Sequence, residues 1–171
     1  MKVFGSSGYL LSDARLDVRL VYTGFLVLAL VGMATMALFQ VKAIGPGPTQ
    51  IAAYFRGGER NGAMTFQKTF RELIELTHFH AFVMGLVYLV LAHLVLATSA
   101  SDTVKRIAIV LAFAGLAGDV LGVWLIRYVS GTFAYAQVLS WIAEWLGFSA
   151  FVYYPLREMW FREGRGARTT S

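Results

Sequence analysis

Apolar residues along this chain fall into four long runs, separated by short polar turns and one long mixed connection. The runs are Val18–Val41, Thr77–Thr98, Val104–Tyr128 and Phe133–Tyr154. Each is about 22–25 residues long, and about 20 suffice to cross the hydrocarbon core of a bilayer. Hydrocarbon offers no partner to backbone N–H and C=O groups, so each run is expected to be an α-helix. Within the 42–76 connection, Phe66, Phe70, Leu73 and Leu76 recur at helical spacing. Thr65–Leu76 therefore reads as an amphipathic helix that either continues into the second span or lies on the membrane surface. Ahead of it, GPGP at Gly45–Pro48 and RGGERNG at Arg56–Gly62 supply turn formers.

The turns SASDTVKR at 99–106 and RYVSGT at 127–132 are short, and short turns make antiparallel neighbours. Ser101 is placed to cap the third span. The pattern predicts an all-α, up-down four-helix membrane bundle with an amphipathic helix before the second span. It forms one membrane domain over 1–171 with a polar tail at 155–171. Residues 1–17 lack the short apolar core and small-residue cleavage site of a removable leader.

Composition agrees with this class. The chain is 57% hydrophobic and 15% charged, where a soluble domain carries about 25% charged residues. The net charge of +5 flanks the apolar runs and forms no compact basic motif, so it does not point to nucleic acid. The N-terminal stretch, the 99–106 turn and the C-terminal stretch hold nine Lys and Arg residues; the other side holds six. That bias puts both termini in the cytoplasm and the 42–76 connection in the periplasm of a bacterial inner membrane. No Cys is present, which excludes disulfides, thiolate metal sites and covalently attached haem. No Walker loop, G-x-S-x-G or H-E-x-x-H motif occurs, so a catalytic role for the chain by itself is not indicated.

Ionisable groups within the apolar runs are costly and need a reason. His78, His80, His93, Asp119 and Glu144 qualify. On a regular helix His78 and His93 lie about 60° apart and share a face with Gly85 and Ala92. They are therefore expected to face the bundle, with His80 turned to a different neighbour. Glu144 shares a stripe with Gln137 and Ser140, and Asp119 sits among Gly115, Gly118 and Gly122. Counted from the expected span ends, these groups spread through the membrane in depth. His78 or His80 could ligate a b-type haem or another tetrapyrrole, with Met33 or Met36 opposite and Arg127 beside a propionate. A metal ion held by imidazole and carboxylate is a second possibility, a proton path a third. Plain interhelical hydrogen bonding is the fourth.

The stretch YFRGGERNGAMTFQKTFRELIELTHFHAF (Tyr54–Phe82), with LAGDVLGVWLIRY (Leu116–Tyr128) and FAYAQVLSW (Phe133–Trp141), resembles a set of small four-helix bacterial inner-membrane proteins. That set is associated with electron-transfer and c-type cytochrome systems. The resemblance runs from Tyr54 to Trp160. It implies a small subunit of a respiratory or photosynthetic electron-transfer assembly, mainly structural, docked on other membrane subunits or a periplasmic cytochrome. The alternatives are a haem b- or quinone-binding redox protein using His78 or His80, and a small proton-coupled carrier.

Overall fold

The computed structural model describes residues 9–60 and 62–162. A short 3-10 turn at Leu11–Asp13 leads into α1, Leu16–Phe39, which widens into a π turn at Gln40–Ile44. The connection then forms α2, Pro48–Arg56, and a two-stranded hairpin, β1 Gly58–Arg60 and β2 Ala63–Thr65. Next, α3 (Phe70–Phe79), a π turn (His80–Met84) and α4 (Gly85–Leu96) run on as one helix. Helices α5, Asp102–Tyr128, and α6, Phe133–Trp160, complete the fold. Among the described residues three helical stretches are long and apolar enough to cross a membrane: Leu16–Ile44, Phe70–Leu96 and α5.

Of the helix expected over Thr65–Leu76, the part from Phe70 continues into the second span, one of the two expected arrangements. Ala63–Thr65 pairs as a strand, and the helix starts only at Phe70. Thr69 sets that start. Its hydroxyl accepts from the Glu72 backbone N–H at 3.2 Å, while the Glu72 carboxylate accepts from the Thr69 N–H at 2.7 Å. Both orphan donors are met reciprocally. The α2 helix was not foreseen, yet its signals are in the sequence. Pro48 occupies the first turn, and the Gln50 side chain accepts from the Gly47 N–H. Gly57 ends α2 at a φ of 79°, where an added Cβ would sit 2.8 Å from the Gln67 nitrogen.

Two apolar clusters form the core. One gathers Leu11, Tyr88, Leu91, Ala112, Phe148, Phe151 and Met159 at the end where Leu11 bonds to the Ala97 carbonyl. The other gathers Ile51, Phe55, Leu73, Ile126, Ala134 and Trp141 at the end bearing the connection. The connection is laced to that second end. Arg56 donates to the Ile126 carbonyl at 2.9 Å and Arg127 to the Lys68 carbonyl at 2.8 Å. A cation there also suits the negative end of the α5 dipole. Lys68 is drawn to Glu72 at 2.8 Å, a bond that raises the Lys68 pKa above its usual value. At the opposite end Arg19 donates to the carbonyls of Ser12, Ala14 and Met159.

The closest pairing is α5 with α6, and glycine makes it possible. A Cβ on Gly115 would meet the Glu144 backbone nitrogen at 2.5 Å; Gly118 faces Ser140, Gly122 faces Gln137, and Gly147 faces Ala112. As numbers rise on α5 they fall on α6, so the pair runs antiparallel. Small residues let two backbones approach this closely. By contrast α1 is peripheral, with only Leu26 and Met33 buried within it. Ser101 caps α5 as its position predicts, accepting from the Val104 N–H at 3.4 Å.

Candidate functional site: an intramembrane cavity

Between the two apolar cores lies a layer of polar side chains, and a cavity of about 470 Å3 opens beside it. The walls come from α1, the helix 70–96, α5 and α6. Met33 and Met36 stand on α1, His80 and Met84 on the second helix, Asp119 on α5, and Glu144, Trp145 and Phe148 on α6. Leu28, Phe39 and Phe79 at its rim are exposed, so in a bilayer the opening faces hydrocarbon.

Depth brings these groups together. His80 is ten residues past the start of α3, about 15 Å along the axis. Asp119 is nine residues before the end of α5, about 14 Å, and Glu144 eleven past the start of α6, about 16 Å. All three counts start from the connection end. Counted from the apolar boundary at Thr77, these groups spread in depth. With the helix beginning at Phe70, His80 drops to the level of the carboxylates.

Each of the three has one heteroatom engaged and another without a protein partner among the described residues. Asp119 is 8% exposed, and its Oδ1 accepts from Gln137 Nε2 at 2.5 Å and Trp141 Nε1 at 2.6 Å. Glu144 is 7% exposed, and its Oε1 accepts from the Tyr88 hydroxyl at 2.8 Å. His80 Nδ1 lies 3.0 Å from the Leu76 carbonyl. A carbonyl only accepts, so Nδ1 carries the proton there, which leaves Nε2 as the ring's second hydrogen-bonding atom. Asp119 Oδ2, Glu144 Oε2 and His80 Nε2 are left for the cavity. Two π turns flank it, at Gln40–Ile44 and His80–Met84, and such turns recur at functional sites.

The other expected site residues lie elsewhere. His78 is exposed and stacks on Phe82; His93 is exposed, its Nδ1 2.7 Å from the Leu89 carbonyl. The inward assignment of these two is thus reversed in favour of His80. Gly85, used to choose that face, has nothing within 4 Å of a hypothetical Cβ. Bulk marks the buried stripe instead, through Leu73, Tyr88, Leu91 and Val95. Arg127 is tied to Lys68 and lies over the Tyr128 ring, away from the cavity. Ser140 bonds to the Ala136 carbonyl and packs on Gly118. Tyr88 and Trp141 were missed. Trp141 lies four residues from Gln137 and three from Glu144, on the very stripe the sequence displayed.

The cavity does not suit haem. Among the described residues no Lys or Arg lines it to meet propionates, two carboxylates do line it, and Arg127 is engaged elsewhere. Nor do the described residues bring three His, Asp or Glu side chains into metal-binding range.

A family model described as a transmembrane helical domain, Aq_1264_TM, matches residues 45–166. No curated protein and no solved structure matches the chain. The match spans α2 to α6 and includes His80, Asp119 and Glu144. The chain belongs to this family and is a multi-pass membrane protein in contact with lipid.

Proposed function

Taking this transmembrane helical family as the premise, we propose that the protein receives a lipid-soluble, amphipathic small molecule in the cavity between α1 and the other long helices. The polar end of that molecule meets His80, Asp119 and Glu144. One observation carries the reading: three titratable side chains from three helices reach one lipid-facing cavity at one depth, each with a heteroatom to spare. Ionisable groups placed this way in a membrane are functional by default, and the volume lies within the range of about 300–1,000 Å3 for small-molecule sites.

The reading takes α6 as a fourth crossing, giving an up-down four-helix bundle. At 28 residues α6 is long enough; Gln137, Glu144 and Glu158 on it are buried in the protein, and the exposed Arg157 lies in its last turn, where it can reach the interface. Both termini are placed in the cytoplasm of a bacterial inner membrane by the Lys and Arg bias. Membership of an electron-transfer assembly remains a second reading. It draws on α1, whose broad exposed apolar face is as open to a partner helix as to lipid.

The test is extraction. Protein purified from its own membrane in mild detergent is extracted with organic solvent and analysed by mass spectrometry. One amphipathic compound is expected at near-equimolar amount, and Met36→Trp, which fills the cavity, should deplete it severalfold. Equal recovery of ordinary lipids from both proteins would sink the proposal.

A further inference from the structure

Resting on the cavity reading above, we infer that the ligand is a quinone: a planar ring whose two oxygens accept hydrogen bonds when oxidised and donate them when reduced, with its isoprenoid tail running past α1 into lipid. Four aromatic side chains, Phe39, Phe79, Trp145 and Phe148, line the cavity, and flat rings pack well among them. Met33, Met36 and Met84 supply adaptable thioether contacts on the remaining wall. The polar groups match a headgroup that changes between acceptor and donor. His80 Nε2, Asp119 Oδ2 and Glu144 Oε2 can each accept, and each donates when protonated.

The same set argues against the other amphipathic classes. A phosphate or carboxylate headgroup would need a fixed cation, and no Lys or Arg among the described residues lines the cavity. A quaternary ammonium carries no hydrogen-bonding group, so it would leave His80 Nε2 unanswered. A plain fatty chain would leave the open heteroatoms of His80, Asp119 and Glu144 unanswered. Quinone oxygens answer them without bringing in charge.

Trp145 on the cavity wall provides the readout, because quinones quench indole fluorescence. Purified protein in lipid nanodiscs is titrated with decylubiquinone, and separately with a dodecyltrimethylammonium salt as the competing class. The expected result is saturable quenching by decylubiquinone, weakened tenfold or more by His80→Ala and by Met36→Trp. The ammonium salt should not compete. Glu144→Gln keeps an acceptor for Tyr88 and guards against misfolding; it should weaken binding while the thermal midpoint stays close to that of the parent. Saturable binding of the ammonium salt without that of the quinone would overturn the inference and leave the cavity reading intact. If neither probe binds saturably and Met36→Trp changes nothing, both fall.

Discussion

At the scale of single residues, two kinds of contact hold the polar layer in place. The glycines set the distance between α5 and α6. Gly115→Val would drive a branched side chain into the Glu144 backbone, and overpacking of this kind costs about 1–3 kcal/mol or more. The thermal midpoint in detergent should fall by several degrees, whereas Gly24→Ala, with nothing within 4 Å, should leave it unchanged. The second contact is the donation from Tyr88 to Glu144. Tyr88→Phe removes it while keeping the ring that packs on Phe113 and Phe151. Interhelical hydrogen bonds in membranes are worth about 0.6–2 kcal/mol, so the loss should be modest and should be read by the same unfolding measurement. An effect as large as that of Gly115→Val would mean that Tyr88 does more than orient Glu144.

At the scale of elements, the capping box at Thr69 fixes where the second long helix begins, and so the level at which His80 sits. Thr69→Ala should cost about 1 kcal/mol and speed amide exchange over residues 70–73. Unchanged exchange would show the start to be held by packing of Leu73 alone. The sequence made the long helices legible because apolar runs of this length have few other fates. It also displayed the Gln137–Glu144 stripe and the Gly118–Gly122 spacing, which do form the α5–α6 seam. Faces on the second helix were harder to read. Apolar residues surround that helix after Met84, so lipid-facing and protein-facing sides carry the same residue types, and one glycine misled the choice. The convergence of His80 on Asp119 and Glu144 depended on a helix start shifted by seven residues from the apolar boundary. The signals for it were the capping box at Thr69 and the helical spacing of Phe70, Leu73 and Leu76, both outside the apolar run.

At the scale of the whole molecule, the cavity exists because α1 stands apart. α5 and α6 are locked together by glycine and joined by the helix 70–96, while α1 is fastened near its beginning by Arg19 and by the Trp160 indole donating to Thr23. The orientation proposed for the bundle can be checked simply, since the chain has no native Cys. Glu59→Cys should react with a membrane-impermeant maleimide in intact spheroplasts, and Ser101→Cys should react only after lysis. The reverse pattern would invert the topology and leave the cavity where it is.

The central claim, that lipid-soluble molecules reach Asp119 and Glu144 through the cavity, is tested most directly by carbodiimide labelling in bilayers. A hydrophobic carbodiimide reaches protonated carboxyl groups from the hydrocarbon phase, and a charged water-soluble one does not. The account predicts an N-acylurea adduct on Glu144 or Asp119 from the hydrophobic reagent alone, found by peptide mass spectrometry and suppressed by Met36→Trp. Carboxyl groups that stay unmodified, or adducts that form equally well once the cavity is filled, would contradict it.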